Sequence, residues 1–194
     1  MNIHATDIAN LRSIRFRNTG YKRKSILKPE KEIALRRFLF DSINENVFVV
    51  STGLGLDVYY ISEKDYSNFI IRYLYLFHAD DPHKNISIEE QHMGQEVLKY
   101  FNVVVHTLTS HPQLLYSCVK KILMQFKEMG INSKLDKILF QCLDNYIQYL
   151  DDEENVPFYH KIKKLRSEID TPSNFTEATN ASLIQTYLSA FHYN

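Results

Sequence analysis

A chain of 194 residues with 44% apolar, 24% charged and 13% aromatic side chains is long and apolar enough to bury a core, which excludes disordered and fibrous classes. Its 23 basic and 23 acidic residues cancel, so no global charge draws it to nucleic acid or membrane. The balance is uneven, however: residues 1–37 hold ten Lys or Arg against three Asp or Glu, leaving thirteen against twenty for the rest.

The basic segment 1–27 reads as an arm preceding the folded body. Residues 28–40, "KPEKEIALRRFLF", open with proline and acidic residues in the first turn, which suits the free N–H groups and positive dipole of a helix start. The run "VFVVSTGLGLDVYYI" (47–61) places two short β-branched and aromatic stretches around Gly53 and Gly55 and predicts a hairpin, the one strand-like patch. Ser62 and Asp65 then satisfy a capping box for a helix over 62–77, with Phe69, Ile70, Tyr73, Leu74 and Phe77 on one face.

A second capping box, Ser87 to Glu90, predicts a long helix in which Met93, Val97, Phe101 and Val105 recur at spacings of four. After Pro112, Leu115, Val119, Ile122 and Phe126 form another stripe, stopped by Gly130. Ser133 and Asp136 cap a third periodic run reaching Leu150. A shorter, more charged helix follows over 156–169, and a last one over 180–191. All five prolines fall where a helix would start or stop, so the punctuation reads all-α.

Residues 92–150, from "HMGQEVLKYF" through "KKILMQFKEMGINS" to "YIQYL", resemble the middle of a globin of the neuroglobin-like or divergent nematode type. "KPEKEIALRRF" looks like the first globin helix and "FIIRYLYLFHADDP" like the second running into its proline corner. The match departs in an insertion over 42–61, in an extra residue before Pro82 and in the final helix. The resemblance implies an all-α, globin-like helical sandwich over 28–170, preceded by the basic extension 1–27 and followed by a tail, 171–194, carrying a short helix.

Haem in that family hangs from a proximal imidazole. In the implied register Phe126 takes the proximal place before Gly130-Ile131, Met93 the distal place with Val97 four residues on, and Ile86 or Ile88 the place of the phenylalanine that packs on the porphyrin. Phe101 and Ile131 complete the implied pocket. Phenylalanine has no lone pair to offer iron. The resemblance therefore implies a regulatory, sensor or ligand-binding module without conventional haem ligation, holding an apolar small molecule or nothing. Haem on a non-standard ligand such as Met124, Met129 or Cys118, for gas or redox sensing, is the alternative.

Other chemistry finds little footing. "TGLGLD" lacks the lysine of a phosphate loop and the third glycine of a dinucleotide fingerprint, and there is neither a nucleophile elbow nor a paired-histidine zinc helix. No catalytic residue and no metal ligand is expected. Cys118 and Cys142 sit in apolar helical patterns, which predicts buried free thiols. The N-terminus has no apolar leader and no stretch reaches the roughly 18 apolar residues of a membrane span, so a cytoplasmic protein is expected. The basic arm could dock on an anionic protein, lipid or nucleic acid, and a homodimer is a further expectation.

Overall fold

The computed structural model describes residues 4–18, 26–44, 46–53, 55–78, 86–152 and 156–170. Its elements in chain order are α1 (Ala5–Ala9), β1 (Leu11–Asn18), α2 (Pro29–Ser42), β2 (Val47–Thr52), β3 (Gly55–Ile61), α3 (Ser67–His78), β4 (Ile86–Met93), α4 (Gln95–Thr107), a 3-10 turn at Leu108–Ser110, α5 (Pro112–Met129), α6 (Lys134–Asp152) and α7 (Tyr159–Ser167). The four strands make one antiparallel sheet in the order β2-β3-β1-β4.

The sheet corrects the all-α, globin-like expectation. In β1–α2–β2 and in β3–α3–β4 the two strands leave a one-strand gap, and each gap is filled by a strand of the other unit. That interlocked split-βαβ connectivity is the ferredoxin-like one. What was read as a basic extension contains β1, a central strand, and what was read as an insertion in a globin is the β2–β3 hairpin. Ser87 and Glu90 have capping-box spacing but lie in β4, where pairing with β1 overrides the local signal. The last expected helix (180–191), the tail from 171 and the basic cluster Lys22, Arg23 and Lys24 lie outside the described residues.

Helices cover both faces of the sheet. On one side α2 and α3 bring Leu35, Leu39, Ile70 and Leu74 against Ile14, Phe16, Val49 and Val58. On the other, α4 to α7 form a bundle that packs Val97, Phe101, Val119 and Phe126 on Leu11, Phe48, Val50 and Tyr59. Strands buried on both faces need apolar residues at nearly every position, which is why "VFVV" and "VYYI" read as unbroken runs rather than alternations. Ser133 and Asp136 do close α6: the Ser133 N–H donates to Asp136 Oδ2 at 3.0 Å and the Asp136 N–H to Ser133 Oγ at 3.0 Å.

Two glycines set the geometry around β1. Gly55 starts β3, where a Cβ would stand 2.4 Å from the Phe16 carbonyl oxygen, so any side chain there would push β3 off β1. Gly94 joins β4 to α4 with φ +65°, and its N–H donates to the Leu11 carbonyl at 2.7 Å. This turns the chain out of the sheet and back across the bundle face. The two edges of the sheet differ. At β2, Glu32 of α2 accepts the Ser51 N–H at 3.1 Å and Lys121 Nζ of α5 at 2.8 Å, while Lys121 also donates to the Ser51 carbonyl. This clamp closes that edge, and β4 forms the other, with Ile88 and Met93 exposed.

Candidate functional site

Strand register places a polar patch in the middle of the bundle face. His92 of β4 lies beside Ser13 of β1, which lies beside Tyr59 of β3; one step along, Glu90 lies beside Arg15, which lies beside Asp57. Alternation keeps these six on one face, and cross-strand neighbours stand about 5 Å apart at Cβ. A bulge enlarges the patch. Arg15 pairs with Glu90 but Phe16 with Ile88, so Glu89 is an extra residue in β4 whose carboxylate is turned toward the Arg15 side. Tyr100, from α4, completes the site above Arg15.

Arg15 is held from three directions. Its Nη1 donates to the Tyr100 hydroxyl at 3.0 Å and lies 3.7 Å from Asp57 Oδ1, and its Nε lies 3.1 Å from Glu89 Oε2. The Nε contact is an ion pair without hydrogen-bond alignment, leaving that N–H unsatisfied. Glu89 is shared, since Arg17 Nη1 approaches its other oxygen at 2.6 Å. At the rim, His92 Nε2 lies 2.9 Å from Glu90 Oε2 and its ring stacks on Tyr100 at 4.3 Å. Burial falls from inside to outside: Ser13, Arg15 and Asp57 are each 5% exposed, whereas the Glu90 side chain is 42% exposed.

The buried end is under-satisfied. Among the described residues the enclosed side-chain atom of this patch left without a hydrogen bond is Arg15 Nε; the Asp57 carboxylate and the Ser13 and Tyr59 hydroxyls, on residues 5%, 5% and 2% exposed, also bond no described residue. Burial raises the Asp57 acid to about 6; Arg15 opposes the shift, but Glu89 and Glu90 reinforce it. The Arg15 pKa is raised as well, which favours its charged form: burial works against that charge, but Asp57 and Tyr100 more than compensate. The asymmetry is geometric: the cation has several partners, while the buried anion has one cation at 3.7 Å and two like charges nearby. Burial also pushes Tyr100 up to about 12, against Arg15, and raises Tyr59 well above its ordinary value. On α5, burial and then the Asp57 charge push the Cys118 thiol up to about 12.

Of the residues expected from the sequence, Phe101 borders the patch, edge-on to Tyr59 at 5.7 Å, and the others lie elsewhere. Val97, Phe101, Phe126 and Ile131 do come together, in the bundle-side core. Phe126 stacks on Phe48 with ring centroids 5.0 Å apart and meets Phe140 edge-on at 5.3 Å. Met93 is 49% exposed at the end of β4, and Ile86 packs against the core on the opposite side of the sheet. Cys118 and Cys142 are free and buried, and the Cys142 thiol donates to Asn102 Oδ1 at 3.1 Å. His106 sits beside the Tyr146 and Tyr149 rings, and His111 precedes α5 on the surface.

No group of three or more His, Cys, Asp or Glu among the described residues is arranged to hold a metal ion. Nor is any described helix long and apolar enough to cross a membrane. Comparison of the chain with protein-family models, with curated proteins and with solved structures gives no match.

Sequence reasoning missed Ser13, Arg15, Asp57, Tyr59, Glu89 and Tyr100. Two signals were legible. "IRFR" alternates with a period of two, which marks a strand inside the basic segment, and Asp57 is a lone carboxylate within an otherwise apolar strand run.

Proposed function

We propose that the protein is a ligand-binding module of regulatory type, taking a small polar molecule between the sheet and α4–α5 at the Ser13, Arg15, Asp57 and Tyr59 patch. The observation that carries this reading is Asp57: a carboxylate 5% exposed whose described partner is Arg15 at 3.7 Å, beyond hydrogen-bond range, beside the Ser13 and Tyr59 hydroxyls, which bond no described residue. Burying such groups costs free energy unless something supplies the missing bonds. A ligand does so when bound. The surrounding chemistry favours binding over reaction, because Cys118, Tyr59 and Tyr100 hold their protons at neutral pH and offer hydrogen bonds instead of nucleophiles. Entry from the β4 edge follows from the exposure gradient toward Glu90 and from the clamp that closes the β2 edge.

The test is a thermal-shift screen of small polar compounds against the full chain, followed by amide chemical-shift mapping of the hits. A ligand at about 100 times its Kd adds about 2.7 kcal/mol of stability and a clear rise in Tm. The expected result is at least one hit whose shifts concentrate on β1 and β3 around residues 13–15 and 57–59. A screen with no hit, or with hits that all map elsewhere, overturns the reading.

A further inference from the structure

We propose that the ligand taken by this site is a small organic cation, an amine, amidine or guanidine, whose N–H groups are accepted by the Asp57 carboxylate and by the Ser13 and Tyr59 hydroxyls. The inference rests on the binding reading above and adds the chemical class.

Three observations support it. First, the Asp57 carboxylate is an acceptor without a hydrogen bond, and the one enclosed donor left unpaired in the patch, Arg15 Nε, already lies against the Glu89 carboxylate. Arg15 spends one donor on Tyr100 and turns its Nε toward Glu89, so its guanidinium is drawn to the β4 side, while Asp57 faces it at 3.7 Å without a hydrogen bond. A carboxylate offers only acceptors, and a hydroxyl can accept as readily as donate. Second, the charges do not balance. Arg15 and Arg17 face Asp57, Glu89 and Glu90, two positive groups against three negative ones, with His92 on Glu90 at the rim. Lys121 on α5 is committed to Glu32 and to the Ser51 carbonyl. One further positive charge would close the balance, whereas an anion would meet three carboxylates.

Third, the site is lined by π-faces suited to a cation. Tyr59 meets Phe101 edge-on at 5.7 Å, and Tyr100 already carries the Arg15 guanidinium 5.6 Å from its ring centroid and His92 on its stacked side. The half-exposed Glu90 at the mouth adds negative potential along the approach, which draws cations toward the interior. A bare metal ion fits less well, because no set of three metal-binding side chains converges among the described residues. Burial of Ser13, Arg15 and Asp57 limits the cationic head to a few atoms, with any tail directed to the β4 rim.

Benzamidine and agmatine as cationic probes, with benzoate and inorganic phosphate as anionic ones, would be titrated into the full chain at about pH 8, where Asp57 is ionised. Amide shifts around residues 13–15 and 57–59 are the readout. At least one cationic probe should bind there, with affinity falling about tenfold or more in Asp57→Asn and, for the unaltered chain, about tenfold or more between pH 8 and pH 5 as Asp57 takes up its proton. The pH arm keeps the test decisive if the variant misfolds. Anionic probes shifting the same amides while cationic ones do not would overturn the ligand class and leave the binding reading standing. Cationic binding insensitive to both Asp57→Asn and pH would overturn the role of Asp57. If no compound of the proposed-function screen moves these amides either, the binding reading itself falls.

Discussion

The two faces of one sheet follow opposite rules. Toward α2 and α3, the strands present Ile14, Phe16, Val49, Leu56 and Val58, all within 1% of full burial and packed in one apolar cluster. Toward the bundle, the alternate positions of the same strands present Leu11 and Tyr59 to the core and, between them and beyond, Ser13, Arg15 and Asp57, each 5% exposed but charged or hydroxylated. A period of two lets neighbouring residues serve separate ends, so β1 and β3 anchor a core with one set of side chains and build a polar site with the other. The polar face gives up stability that the apolar face secures. Free energy forgone in that way marks a functional surface more often than a structural one.

The contrast is sharpest where each face loses its central residue. Phe16→Ala removes a fully buried ring from the α2–α3 side and should cost about 3–5 kcal/mol, nearly independent of pH, in urea unfolding followed by circular dichroism. Arg15→Met should cost about 3–5 kcal/mol near neutral pH, because Asp57 and Glu89 lose their buried cation. That loss should shrink as the carboxylates take up protons in acid. A pH-independent loss for Arg15→Met would mean that Arg15 acts through packing alone, and the distinction between the faces would fail.

How much of this was legible in the sequence follows from the same two-sided burial. The hairpin announced itself through β-branched runs around Gly53 and Gly55, and α2, α5 and α6 through capping residues and stripes of four-residue spacing. β1 did not, because Arg12, Arg15 and Arg17 gave the segment a solvent-facing composition, although Arg15 is buried by Asp57, Glu89 and Tyr100. β4 was hidden by its bulge: Ile86 and Ile88 begin an alternation that Glu89 breaks, while Ser87 and Glu90 imitate a helix start. On a helical reading of this segment Met93 continues the stripe of Val97 and Phe101, whereas in the structure it belongs to the strand and faces outward. The site escaped notice because its residues are 13, 15, 57, 59, 89 and 100, which only strand pairing and the turn at Gly94 bring together.

Asp57 gives the next largest effect and reverses the usual sign. In the folded chain its acid is raised by burial from 3.8 to about 6, so between those values the folded state holds a proton that the unfolded state has released. Its contribution is most favourable below about pH 4 and is lost as pH rises through about 6, amounting to about 3 kcal/mol at most for a shift of about two units. Asp57→Asn, which keeps the shape and removes the charge, should therefore match the unaltered protein in acid and exceed its stability near pH 8. Denaturant midpoints measured across this range for both chains isolate the effect from Asp136, whose surroundings do not include Asp57. Equal stability of the two chains at all pH values would show that Asp57 is not held in a costly environment.

The smallest effect is expected at the rim. Glu90 and His92 sit 2.9 Å apart with side chains 42% and 25% exposed, so solvent screens their attraction and Glu90→Gln should change stability by less than about 1 kcal/mol. Its consequence for binding is separate. Removing one of the three carboxylates that outnumber Arg15 and Arg17 brings the local charge to balance without touching Asp57, so the on-rate for a cationic probe should fall and lose part of its salt dependence. Stopped-flow association at two ionic strengths reads this directly. An unchanged rate with unchanged salt dependence would place the entry path away from β4 and return the exposed edge strand to the role of a protected sheet margin, with the bulge and its paired carboxylates serving only to prevent edge-to-edge pairing.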